Sequence, residues 1–113
     1  MTDDPAGRGG PRHYTDVFLR AARRAVRDLC ERRGGELESL TCEFVSGATD
    51  DDVVVAATTV LVFRGRRCVF RRGIWPPGHP AATRAAIYAS VLEERLLTRV
   101  LPRPGGDSSP VDL

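Results

Sequence analysis

The spacing of apolar positions changes repeatedly along this chain, and each change marks an element. Val17, Phe18, Ala21, Ala22, Ala25, Val26 and Leu29 recur at helical spacing. Thr15 before them can accept a backbone N–H of the first turn, and Asp16 sits near the positive end of the dipole. Gly34-Gly35 supplies a left-handed stop. Together they predict a helix over 15–33, about 28 Å long, with Arg20, Arg23, Arg24 and Arg27 mostly on its polar side and Arg32 and Arg33 at its negative end. Leu40, Cys42 and Phe44 then alternate with Thr41, Glu43 and Val45, the pattern of a half-buried strand. Val53 to Phe63 is rich in β-branched residues and apolar on both faces, which predicts the central strand. Arg64-Gly65 is a two-residue hairpin turn, with Gly65 taking the positive φ such turns demand. In Arg66 to Arg72 the chain returns with Cys68 and Phe70 on one face and Arg67, Val69 and Arg71 on the other. Two glycines and two prolines keep Gly73 to His79 irregular, and Pro80 suits the first position of a second helix. That helix extends to about Leu101, with Ala81, Ala85, Tyr88, Leu92 and Leu96 as its stripe, widened by Ala86, Ile87, Val91 and Val100.

The order predicts an α+β fold: an α-β-β-β-α two-layer sandwich, a three-stranded antiparallel sheet with both helices on one face. Phe18, Leu29, Phe44, Leu61, Phe70, Tyr88 and Leu92 are the expected core, and Thr41, Glu43, Arg67 and Arg71 the outer sheet face. The register of the central strand is the open choice, because a slip of one residue exchanges Leu61 for Val60 and Val62. Residues 1–13 and 102–113 are Gly, Pro, Asp, Ser and Arg with little to bury, and are expected to be disordered tails around a single domain at 14–101.

Composition narrows the function classes. The chain has 113 residues, 42% hydrophobic and 28% charged, which suits one core. No apolar run approaches the ~20 residues of a membrane span. Met1-Thr2-Asp3-Asp4-Pro5 lacks the basic-then-apolar layout of a secretory signal, so an intracellular protein, cytoplasmic or nuclear, is expected. Cys30, Cys42 and Cys68 are odd in number and lack CxxC spacing, which argues against a disulfide framework and a zinc site. Each falls at an expected apolar position, as a small hydrophobe does. All 17 basic residues are arginine, the better bidentate partner of phosphate and carboxylate, though a GC-rich coding sequence produces the same bias. A net charge of +2 gives only a mild preference for acidic partners.

Two segments are candidate sites. Arg64, Arg66, Arg67, Arg71 and Arg72 crowd one hairpin, where they can hold the phosphates of a nucleic acid or an acidic partner. Arginines on an edge strand also block edge-to-edge aggregation, and these can pair with Glu43 or Asp50-Asp51-Asp52. No exposed aromatic is interleaved to stack bases. Trp75, Pro76, Pro77 and His79 combine the only tryptophan with a rigid segment before a helix, which suits a protein interface. The alternative is that Trp75 closes the open end of the core. No catalytic constellation is present: His13 and His79 lack a nearby nucleophile motif, and Asp50-Asp51-Asp52 lacks the spacing of a calcium loop. No cofactor, metal or small-molecule substrate is inferred.

The element order resembles the double-stranded-RNA-binding domain. Arg64-Gly65-Arg66 through Leu97 matches best, with a hairpin turn, a strand ending at Gly73 and a helix rich in alanine (Ala81, Ala82, Ala85, Ala86, Ala89). The resemblance implies the fold over about Tyr14 to Leu101. The family's phosphate-gripping lysines correspond to Pro80-Ala81-Ala82-Thr83-Arg84, where only Arg84 is basic. Its minor-groove loop corresponds to Ser46 to Asp52, which is acidic, and its first helix is shorter. The resemblance therefore implies a degenerate member serving as a protein-binding or dimerising module. RNA or DNA binding through the arginine hairpin and Arg84 is the alternative.

Overall fold

The structure, a computed structural model, describes residues 10–45, 54–75, 78–101 and 110–113. Its elements run α1 (Gly10–Arg33), β1 (Gly35–Val45), β2 (Val54–Phe63), β3 (Arg66–Trp75), α2 (Ala81–Arg99) and β4 (Val111–Asp112). The sheet order is β1-β2-β3-β4, and α1 packs on α2 and β1. The α+β class and the α-β-β-β-α order are as expected. The three-stranded antiparallel sheet is corrected: β4 pairs parallel to β3, with Cys68 opposite Val111 and Val69 opposite Asp112, making a mixed four-stranded sheet. The Leu113 N–H donates to the Val69 carbonyl at 2.8 Å, and Arg99 donates to the Asp112 carbonyl at 3.2 Å. A helix between β3 and β4 is what a parallel pair requires.

The register of β2 puts Val55, Ala57, Thr59, Leu61 and Phe63 inside, all buried. With them lie Phe18, Val26, Leu29, Leu40, Phe70, Ile74, Tyr88, Leu92 and Leu96. Phe44 is the exception among the expected core residues. It is 42% exposed at the end of β1, where the Arg12 guanidinium stands 5.6 Å from its ring centroid. Ala86 and Ile87 are also exposed and do not widen the buried stripe of α2, whereas Val100 does.

Helix α1 begins five residues before the expected cap. Thr15 is buried within it, and Gly10 to His13, assigned to a tail, form its first turn. Tertiary contacts hold that turn. The Tyr14 ring packs edge-on against Trp75 with centroids 5.1 Å apart, and its hydroxyl donates to the His79 carbonyl at 2.7 Å. At the other end Gly34 takes φ +79° and donates to the Cys30 carbonyl. Gly35 then opens β1, where a Cβ would stand against the ring of Phe63. Arg64 (φ 53°) and Gly65 (φ 76°) form the β2–β3 turn with both central residues left-handed, the geometry that matches strand twist. Helix α2 starts at Ala81, with the Pro80 carbonyl accepting from Arg84 N–H, and ends at Arg99, before the expected Leu101. No described helix is long and apolar enough to cross a membrane.

Candidate interaction surface

The outer face of the sheet is built by the residues that β2 turns away from the helices. Val54, Ala56, Thr58, Val60 and Val62 run down its middle. Antiparallel pairing places Val69, Arg67, Arg71 and Gly73 of β3 on one side of this strip. Glu36, Ser39, Thr41, Glu43 and Val45 of β1 lie on the other. Val60, Val62 and Val69 are half-buried, and Val45 and Val54 are 47% and 43% exposed at one end.

A bulge completes the arrangement. Leu37 pairs with Leu61 and Ser39 with Val60, so Glu38 is the extra residue. Leu37 and Leu40 both stay on the helix side while Glu38 joins the outer face, as an inserted residue allows. The Arg67 guanidinium reaches across β2 and donates to both carboxylate oxygens of Glu38 at 2.8 Å. Arg71 reaches Glu43 at 3.0 Å. The Arg67 hydrogen bond holds the Glu38 carboxyl below its ordinary range. The face is thus polarised, with acids on β1, bases on β3 and a valine strip between.

The six candidate arginines therefore do not form one patch. Arg67 and Arg71 lie in ion pairs on the outer face. Arg64 stands in the turn, and Arg66 is half-buried. Arg84 donates to the Gly73 carbonyl at 3.1 Å and lines, with Arg72, Ile87, Tyr88 and Val91, a cleft of about 30 Å³, room for a water. Trp75 is half-buried against Tyr14, and the His79 carbonyl is held by the Tyr14 hydroxyl, so this segment ties α2 to α1. Pro76, Pro77 and Asp50-Asp51-Asp52 lie outside the described residues.

Sequence reasoning missed Glu38, whose role depends on a bulge that no residue type announces. It also missed Arg23, which donates to the Leu40 carbonyl on the edge strand at 3.1 Å. Arg32 and Arg33 both reach Glu93 of α2, closing the far end of the helix pair. Cys30 and Cys68 are buried and Cys42 is half-buried, all free. Burial pushes the Cys30 and Cys42 thiols up to about 11, so neither is a thiolate at neutral pH. Compared with known proteins, the chain matches no family model, no curated protein and no solved structure.

Proposed function

We propose that this chain is a non-enzymatic binding module that docks another protein on the outer face of its sheet. The observation that carries this reading is the valine strip of that face, half-exposed between charged columns and covered by no described element. Apolar surface ringed by polar groups is the general anatomy of a protein interface. The α-β-β-β-α order is compatible with a degenerate double-stranded-RNA-binding-like domain. The carboxylates of Glu38 and Glu43 beside Arg67 and Arg71 favour a protein partner, which can answer both signs of charge, over an all-anionic phosphate backbone. Protonated, buried thiols favour a binding role over a nucleophilic one, and three free cysteines suit a reducing, intracellular setting. The test is affinity capture with wild type and Val60→Lys, which sets a charge in the middle of the strip. Partners held by wild type and lost by the variant, with unchanged circular dichroism, support the reading. Partners retained by Val60→Lys overturn it.

A second reading, nucleic-acid binding, is favoured by one feature of α1. Arg20, Arg24 and Arg27 share an exposed side of the helix and make no ion pair among the described residues. On that reading a duplex RNA is shifted in a gel, steeply less so with added salt as counterion release requires. Arg20→Ala, Arg24→Ala and Arg27→Ala together abolish the shift. Arg67→Ala with Arg71→Ala leaves it.

A further inference from the structure

We propose that the occupant of the outer sheet face is a second copy of this chain, stacked face to face about a two-fold axis that runs along β2. The inference rests on the reading above that this face docks a protein. It adds the identity and orientation of the partner.

The polarity of the face selects this partner. Glu38 and Glu43 stand on the β1 side, Arg67 and Arg71 on the β3 side, and β2 divides them. Rotation about an axis parallel to β2 carries β1 of one copy over β3 of the other. Glu38 and Glu43 of each copy then face Arg67 and Arg71 of its neighbour, and Val60 and Val62 meet their own counterparts. Rotation about an axis across the strands instead sets β1 on β1, carboxylate against carboxylate and guanidinium against guanidinium. Like charges brought together at an interface are costly, so the pattern selects the first arrangement. A face with acids on one side and bases on the other is self-complementary in this one sense, as an isologous contact must be. Stacked sheets lie about 10 Å apart with strands within about 30° of each other, close enough to keep the columns opposed near the centre.

The alternative route, edge-to-edge pairing through β1, is blocked by features of that strand and of α1. Glu38 bulges from that strand, Glu36 and Glu43 charge it, and Arg23 already takes the Leu40 carbonyl. On the opposite edge β4 occupies β3 at Cys68 and Val69. The face has modest size. Three strands of about ten residues cover roughly 34 Å by 14 Å. That lies below the ~800 Å² per partner of a standard stable interface. The dimer therefore belongs to the weak, concentration-dependent class.

The experiment is sedimentation velocity from micromolar to about 1 mM, with native mass spectrometry of mixtures. The informative variant combines Glu38→Arg, Glu43→Arg, Arg67→Glu and Arg71→Glu. It keeps both intrachain pairs with polarity reversed and leaves the net charge unchanged. Wild type and this variant should each form dimers. An equal mixture should hold mixed dimers at least about tenfold below the statistical share, a factor that corresponds to roughly 1.4 kcal/mol. Val60→Lys, folded by circular dichroism, should be monomeric, and it serves as the test if the four-fold variant does not fold. Mixed dimers in excess overturn the axis. Dimers indifferent to both variants overturn the surface. Wild type that stays monomeric throughout overturns the second copy, and the broader reading then stands or falls separately on whether Val60→Lys releases a captured partner.

Discussion

Tyr88 brings a hydroxyl into the middle of the core, and what it does there shows how individual residues hold this fold. Its ring meets Phe18 and Phe70 edge-on, with centroids 5.3 and 4.9 Å away. Its oxygen lies 2.6 Å from the Thr59 hydroxyl, with the Phe70 carbonyl at 3.3 Å. Thr59 is the one fully buried polar residue on the inner face of β2, and Tyr88 satisfies it. Tyr88→Phe alone strands the Thr59 hydroxyl and should cost about 1–3 kcal/mol, whereas adding Thr59→Val removes both partners and should recover part of that loss. Urea melts of the four members of this cycle measure the coupling. Independent, additive losses contradict it. Gly35 acts by what it lacks: Gly35→Ala drives a methyl into the Phe63 ring and should cost about 1–3 kcal/mol as overpacking, eased by Phe63→Leu. The Tyr88 burial was visible in its helical spacing. The Thr59 pairing was not, because a threonine in a β-branched run looks like any other strand former.

At the scale of elements, β2 shows which parts of the fold pattern alone can reach. Its apolar run marked a central strand, but a run apolar on both faces leaves the inward set open. The inward set is Val55, Ala57, Thr59, Leu61 and Phe63. Leu61→Ala should therefore cost about 2–5 kcal/mol as a cavity. Val60→Ala, half-exposed on the other face, should lose well under half of that. Equal losses would place the register one residue away. Strand β1 was legible only from Leu40, because its alternation breaks at the Glu38 bulge; Leu37 and Leu40 are three apart yet face the same way. Strand β4 was hidden in a Pro- and Gly-rich stretch, where Val111 and Leu113 offer too short a pattern to notice. Both residues pack against the core, and Leu113 N–H is bonded to Val69. Ending the chain after Ser109 should lower stability by about 1–3 kcal/mol, since a strand ladder bond and two partly buried side chains are lost. An unchanged unfolding midpoint would mean that β4 contributes nothing to the sheet. The candidate site was legible in part. Glu43, Arg67 and Arg71 were placed on the outer face by simple alternation, whereas their partnership depended on which side chains span β2.

For the molecule as a whole, the groups buried against the helices make stability fall in alkali. Burial pushes Tyr88 from its ordinary 10.0 up to about 12, and Cys30 and Cys42 from 9.0 to about 11. Each group keeps its proton in the folded chain over a range where the unfolded chain has released it. The native state then binds more protons than the unfolded state, and stability declines as pH rises. The contribution is fully present below about pH 9, is lost progressively through the folded values, and is gone above about pH 12. Urea melts should therefore show a lower midpoint at about pH 11 than at about pH 8. Tyr88→Phe should flatten the upper part of that decline, because phenylalanine has no proton to lose. Tyrosinate absorbance gives an independent reading: the share belonging to Tyr88 should appear with unfolding rather than ahead of it. A midpoint that holds steady across this range, or a Tyr88 that ionises in the intact fold near 10, would contradict a phenol sealed between the helices and the inner sheet face.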